Sequence, residues 1–248
     1  MKVSVIIPCY NFGEFIEQSI LSAVNQITDF DYEILVRDDF SVDHSLVNIE
    51  RVSYYHPRVK YYTPEENFGF CKNISFLISE AKGEYIAYLD GDDYFTDPYK
   101  LQKQVDFLDN HRDYVMTFTG YWGRQPDGGY APDSIPGWLG LIGFENNDVV
   151  TEHLLKTNPV TFGRMFRNIK KVVKDWMMDL PYFDWPLNYE LSRYGKIKFL
   201  DFPTGVYRYH NNSVFSLLPR DEKEKLSLSV GEKILESHTN YEKNKDQQ

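Results

Sequence analysis

The sequence predicts an α/β protein built on a doubly wound sheet with helices on both faces. Two observations predict the class and a third locates its working edge. Apolar runs of strand length alternate with stretches of helical period through the first half of the chain. The βαβα order implies right-handed crossovers between neighbouring strands. Polar or acidic residues stand just past three of these runs: Asn11 after the first, Asp39 after the second and Asp92 after the fourth. Ligands of such sheets bind beyond the carboxyl ends of the strands, so residues distant in sequence can converge there.

Val3-Ser-Val-Ile-Ile7 reads as a buried parallel strand ending at Pro8. Asn11 is placed to cap the next helix, with Glu14 three residues on as in a capping box, and Ile16, Ile20 and Val24 share its inner face. Tyr32 to Val36 is the second strand, residues 43–52 have helical character, and Val59 to Tyr62 form a short strand. The spacing predicts a helix over 70–82, with Ile74, Leu77, Ile78 and Ala81 inward and Gly83 as its C-terminal cap. A strand over 84–89 follows. Asp97-Pro98 opens a helix whose Leu101, Val105 and Leu108 face the core, and Tyr114 to Thr119 is the next strand.

After Gly120 the periodicity fades. Residues 120–147 are rich in Gly, Pro and aromatics, which fits a lid or a surface excursion. Helices are expected near 148–156, 168–178 and 186–194, and strands near 160–166 and 197–207. Leu226, Val230 and Ile234 recur at every fourth residue of 220–237, a stripe expected to dock on the body, and Glu242 to Gln248 is expected to be disordered.

The 248 residues suffice for one large domain or one with a small annex. Hydrophobic residues at 42% and charged residues at 26% are ordinary for a globular protein. The net charge of -10 argues against a general nucleic-acid binder. Two cysteines, Cys9 and Cys71, make no disulfide framework, so a reduced, cytoplasmic setting is expected. The chain enters a strand directly, which gives the expectation of no signal peptide, and no apolar run approaches a membrane span. Gly137 to Phe144 is mildly apolar, which leaves open peripheral contact with the inner face of a membrane or a lipid-linked substrate; a buried loop or short helix is the simpler reading.

The chemistry concentrates in Glu84-Tyr-Ile-Ala-Tyr-Leu-Asp90-Gly91-Asp92-Asp93. Three carboxylates within four residues at a strand's mouth repel one another unless a cation sits among them. Oxygen ligands suit a hard divalent ion such as Mn2+ or Mg2+, useful where a diphosphate is held and released. A solvated turn is the plain alternative. A calcium EF-hand loop is excluded, because counting from Asp90 the sixth residue is Phe95 rather than Gly and the twelfth is Leu101 rather than Glu.

Four segments in order then resemble the family 2 glycosyltransferases of GT-A fold: Val3 to Asn11, Glu33 to Ser41 with Asp43, Asn67-Phe-Gly69, and Gly83 to Asp93. Phe183-Asp184-Trp185 and Tyr207-Arg-Tyr-His210-Asn-Asn-Ser213 are similar to that family's acidic and histidine motifs. The resemblance implies a doubly wound mixed sheet and inverting transfer from a nucleotide diphosphate sugar to a hydroxyl of a glycan, glycoprotein or lipid-linked acceptor. It implies a nucleotide-sugar-binding half over 1–119 and an acceptor-side and catalytic-base half of the same domain over 120–218, which leaves the striped amphipathic helix and polar tail over 219–248. Pro8, Tyr10 and Asn11 then shape the nucleotide pocket, Asp39 accepts from the ring N–H of uracil, and Asp90 with Gly91 lies near the ribose. Asn67 and Lys72 belong to the donor site, Asp92 and His210 to the metal, and Asp184 is the general base, with Asp179 and Glu190 as rivals. Asp93 supports the site or caps the next turn.

The chain departs from the pattern at three places. Lys72-Asn73 stands where many relatives carry Arg-Asn, which supplies charge without a bidentate fork. Phe40 replaces a common Gly, and Phe183 replaces a typical Glu. Two competing functions remain: an Asp-nucleophile phosphatase, disfavoured because no late Asp-Asp pair exists, and a nucleotide-sugar-binding module without turnover.

Overall fold

The computed structural model describes residues 1–131, 145–210 and 218–245. The apolar stretch Gly137–Phe144, most of the expected lid and Asn211–Ser213 lie outside them. The elements are β1 (Val3–Cys9), α1 (Ile16–Val24), β2 (Tyr32–Asp38), α2 (Ser45–Tyr55), β3 (Val59–Tyr62), α3 (Phe70–Glu80), β4 (Tyr85–Tyr88), β5 (Tyr94–Phe95), α4 (Lys100–Asn110), β6 (Tyr114–Arg124), β7 (Tyr130–Ala131), β8 (Asp148–Val149), α5 (Thr151–Leu154), β9 (Met165–Arg167), α6 (Asp184–Ser192), β10 (Lys196–Arg208) and α7 (Arg220–Lys245).

These strands form one mixed sheet in the order β3-β2-β1-β4-β9-β6-β10-β5, with β7 beside β6 and β8 beside β10. β1 lies parallel to both β2 and β4, so the strand order reverses between β1 and β4. That reversal is the switch point where an open α/β sheet binds ligands. β9 is antiparallel to both β4 and β6 and joins the two halves of the sheet.

Alternation along the strands divides the core. Val3, Val5 and Ile7 of β1 pack with Ile16, Ile20, Ile49 and Leu101 on one face. Ile6 of β1 and Leu35 of β2 pack with Ile74, Leu77, Phe183 and Trp185 on the other. The C-terminal stripe docks on this second face, where Val230 and Ile234 are fully buried. Among the described residues, no helix is long and apolar enough to cross a membrane.

Several local expectations are corrected. β1 continues through Pro8 to Cys9, because its pairing with β4 has ended at Ile6↔Tyr88 and no ladder donor is lost. α1 begins at Ile16 rather than after Asn11, without a side-chain cap. Gly83 is not a helix cap: its N–H donates to Ser4 Oγ at 2.8 Å, and a Cβ there would lie 2.4 Å from the Ser4 backbone nitrogen. Residues 168–178 form two 3-10 turns, Lys170–Val172 and Asp175–Met177, rather than one helix. α7 extends to Lys245, past the point where disorder is expected.

Candidate active site

The loops after β1 and β2 are tied to each other. Asn11 adopts φ 57°, its N–H donates to Ser41 Oγ at 2.8 Å, and its Oδ1 accepts the Val42 N–H at 2.9 Å. Asp38 fixes Ser41 through its N–H at 2.9 Å and its hydroxyl at 2.5 Å, while Asp43 holds the Gly13 N–H at 2.9 Å. Asp39 is buried; its carboxylate accepts the amides of Phe68 at 3.1 Å and Gly69 at 2.8 Å, and its carbonyl accepts Asn67 Nδ2 at 3.0 Å. Gly69 at φ 86° is the residue before α3, a left-handed position suited to glycine. Asn11, Asp39 and Asn67 thus belong to one braced group of loops. Tyr10 is exposed beside it, and Lys72 is exposed on α3.

The acidic segment turns between β4 and β5. Tyr88 donates its hydroxyl to Asp90 Oδ1 at 2.5 Å. Gly91 permits a close approach, since a Cβ there would sit 2.7 Å from the Pro8 carbonyl oxygen. Asp92 Oδ2 lies 3.0 Å from His210 Nε2. The His210 ring rests against Phe15, centroids 4.5 Å apart. Asp93 is buried; Oδ1 accepts the Arg208 backbone N–H at 2.9 Å, and Oδ2 has no hydrogen-bond partner among the described residues. Arg208 donates from its guanidinium to the Asp92 carbonyl and to Gln18 Oε1. Burial first, then the charge of Asp92, pushes Asp90 up to about 7, with Arg164 opposing. The same burial, with Asp92 and Asp90 nearby, raises Asp93 far above the carboxylate range. Confined negative charge of this kind is relieved by a bound cation.

Asp184 opens α6 on the other side of Tyr88. Its Oδ2 accepts Asn158 Nδ2 at 2.7 Å and lies 3.5 Å from Arg164 Nη1. The Arg164 guanidinium lies over the Tyr88 ring, 4.7 Å from the centroid. Asp184 is therefore linked to Asp90 through two residues, Arg164 and Tyr88. Glu190 turns elsewhere: its carboxylate pairs with Arg193 at 2.8 Å and accepts Ser237 Oγ from α7 at 3.3 Å.

Sequence reasoning gave no role to Tyr88, Asn158, Arg164 or Arg208. Arg208 stands inside the quoted Tyr-Arg-Tyr-His segment, and an arginine next to apolar strand residues was the available signal. Asn158 and Arg164 carry no local pattern, because only the insertion of β9 beside β4 brings them to Asp184.

A metal would find a carboxylate and an imidazole in Asp92 and His210, a donor pair that suits Mn2+. Among the described residues, no group of three or more His, Cys, Asp or Glu side chains is arranged to hold an ion alone. The pair fits a site completed by diphosphate oxygens and water.

Fold and site together define an α/β protein that gathers carboxylates, an imidazole and an arginine at the switch point of its sheet. The chain belongs to glycosyl transferase family 2, whose model matches residues 4–173. An uncharacterized glycosyltransferase of Haemophilus influenzae is 27% identical over 98% of this chain and 75% of its own length. TuaG of Bacillus subtilis, a putative teichuronic acid biosynthesis glycosyltransferase, is 32% identical over 54% of each chain. An uncharacterized protein of Mycobacterium tuberculosis is 27% identical over 90% of this chain, which spans only 63% of that relative. S. aureus TarS in complex with UDP-GlcNAc superposes with a TM-score of 0.67 at 22% identity, over 91% of this chain and 64% of that one. A mannosyltransferase from Pyrobaculum calidifontis in complex with GDP-Man and Mn2+ gives 0.65 at 16% identity, over 87% and 59%. The fold is therefore GT-A, as the sequence motifs implied.

Proposed function

We propose that this chain is a metal-dependent inverting glycosyltransferase that moves a sugar from a UDP-sugar to a hydroxyl of a glycan or glycoconjugate. The observation that carries the reading is the approach of two chemistries at one end of the sheet. The Asp92–His210 pair suits a leaving diphosphate, and Asp184 stands across Tyr88 and Arg164 as a base for an acceptor. Mn2+ or Mg2+, when bound, supplies charge compensation for the departing diphosphate.

On the donor side, Pro8, Tyr10, Asn11 and Asn67 shape the nucleotide pocket, and Asp90 with Gly91 meets the ribose. Each Asp39 oxygen accepts one loop amide and keeps a further lone pair, which suits the ring N–H of uracil. Lys72 adds positive charge. On the acceptor side, Asp184 takes the hydroxyl proton on the face opposite the leaving group. The complexes of TarS with UDP-GlcNAc and of the mannosyltransferase with GDP-Man and Mn2+ support a nucleotide-sugar donor. The name of TuaG supports an acceptor in cell-surface polysaccharide.

Thermal shift with UDP or GDP, with and without Mn2+, tests the donor side, since ligand binding to the native state raises apparent stability. The expected result is a shift with UDP that requires Mn2+, is absent in Asp92→Ala and exceeds that with GDP. A larger shift with GDP refutes the assignment of Asp39, and a metal-independent shift kept by Asp92→Ala refutes the metal assignment. Asp184→Asn is expected to bind UDP normally and lose turnover by about 10²-fold or more. Near-normal kcat with weak donor binding would move the base elsewhere, to Asp179.

A further inference from the structure

We propose that Arg164 is the positioning residue for Asp184, aiming one carboxylate oxygen at the acceptor hydroxyl; this rests on Asp184 being the base. Arg164 is 5% exposed, and its backbone is fixed on both sides. Its carbonyl accepts the Tyr88 N–H at 3.0 Å, which pins it to the end of β4. The preceding Gly163 sits at φ 68°, where a Cβ would meet Thr119 Oγ1 at 2.0 Å. The guanidinium plane is held in turn by the Tyr88 ring.

A buried arginine placed this firmly ordinarily fulfils its donors. Here Nη1 is buried with no hydrogen-bond partner among the described residues, and its nearest anionic contact among them is Asp184 Oδ2 at 3.5 Å. Leaving a charged donor unbonded in a dry site is destabilising. The arrangement is not a structural lock, because a lock would use the bidentate fork that carboxylate and guanidinium form so readily. It is a charge held beside Oδ2, where Asn158 also donates. Both partners fall on the same oxygen. Among the described residues no hydrogen bond falls on Oδ1, and the Asp184 side chain is 31% exposed. Oδ1 is the oxygen presented to an acceptor.

The step balances as a direct displacement. The acceptor oxygen forms its bond to the anomeric carbon while its proton passes to Asp184 Oδ1. The bond from that carbon to the diphosphate oxygen breaks, and the electron pair leaves with the diphosphate. Arg164 neither gives nor takes a proton; it keeps the carboxylate aimed. Misplacing a reacting group by about 1 Å can cost roughly 10²-fold in rate.

The experiment follows UDP release from UDP-GlcNAc, UDP-Glc and UDP-Gal, taken singly with Mn2+ and water as acceptor. It compares wild type, R164A, R164K, D184N and R164A/D184N. The expected result for R164A is a kcat lower by about 10²-fold with donor KM within about threefold. Guanidinium ion at millimolar concentration restores part of that loss, and R164K keeps more activity than R164A. On the D184N background, removing Arg164 costs no more than about threefold further, because both act through one carboxylate. Unchanged kcat with raised donor KM overturns the proposal, as does a full R164A penalty added to that of D184N. Should R164A fail to fold by circular dichroism, the cycle is run with R164K, and the same additivity overturns it. Near-normal kcat in D184N refutes the base assignment itself, whatever Arg164 does. A wild type that neither turns over any of the three sugars nor binds UDP with Mn2+ refutes the functional reading.

Discussion

Lys100 provides a sharp thermodynamic test of how the polar layer beneath the site is built. Its side chain is fully buried, with Nζ 4.5 Å from the Phe95 ring centroid. Nζ donates to Gln104 Oε1 and, at 3.3 Å, to the carbonyl of Gly163, the residue before Arg164. Burial lowers the amine from its ordinary 10.5 to about 7, with Asp97 opposing. Below about pH 7 both folded and unfolded chains carry the proton, and the native state bears the whole cost of burying it. Between about pH 7 and 10 the unfolded chain keeps a proton that the native state has released, so stability rises with pH. The gap corresponds to roughly 4–5 kcal/mol as an upper estimate. Lys100→Met removes this dependence. It also takes one donor from Gln104 Oε1, at about 1–3 kcal/mol, while the Gly163 carbonyl still accepts Gln104 Nε2 at 2.8 Å. The variant is therefore expected to be the more stable protein below about pH 7 and the less stable near pH 10. Urea unfolding of both proteins across this range measures the difference, in which other titrating groups cancel. Stability curves that stay parallel within about 0.5 kcal/mol would refute a neutral buried lysine and the physical argument for it.

Three further outcomes are expected. His210→Ala should weaken Mn2+-dependent binding of UDP, measured by calorimetry, while leaving unfolding cooperative; unchanged affinity would remove His210 from the metal site. Gly163→Ala forces a side chain into a left-handed position 2.0 Å from Thr119 Oγ1, a hydroxyl that already bonds Thr204 Oγ1 at 2.6 Å. It should lose at least about 2 kcal/mol in urea unfolding, and a loss under 0.5 kcal/mol would show that the loop yields. Tyr88→Phe keeps the ring under Arg164 but removes the donor to Asp90 Oδ1; donor KM should change while kcat stays within about threefold, and the reverse split would place the hydroxyl in the chemistry.

What the sequence made legible were the features with local causes. Strands β1, β2 and β4 are buried along their length because both faces of the sheet are covered, and the apolar runs within them, Val5 to Ile7, Ile34 to Val36 and Tyr85 to Tyr88, need no partner to be recognised. The carboxylates past them were legible because they break the apolar runs at the carboxyl end of each strand. Asn11 was misread as a helix cap because its side chain satisfies the Val42 N–H across the neighbouring loop instead. Gly83 was misread because the cause of its glycine, the backbone of β1 at Ser4, lies far away in sequence. Glu190 shared a helix with Asp184, yet only the docking of α7 reveals that it faces Arg193 and Ser237. Arg164 had no signal at all, since its neighbours Tyr88 and Asp184 meet it through the antiparallel insertion of β9.

That insertion bears on how the donor site is assembled. Its loops after β1, β2 and β3 brace one another through Asp38, Asp39 and Asp43, by hydrogen bonds made within the first 70 residues. The acidic turn is different. Asp93 takes its bond from the backbone of Arg208, the Asp92 carbonyl from the guanidinium of the same residue, and the Asp92 carboxylate meets His210 two residues later. Arg208 in turn reaches Gln18 on α1 and lies over the rings of Phe15 and Tyr94, 5.2 Å and 4.4 Å from their centroids. The end of β10 therefore sets the shape of a turn encoded more than a hundred residues earlier. Residues 1–119 contain most of the recognisable motif, but the geometry of Asp92 belongs to the whole sheet. A strand end that carries both the brace for the acidic turn and its imidazole partner makes the two halves one cooperative site.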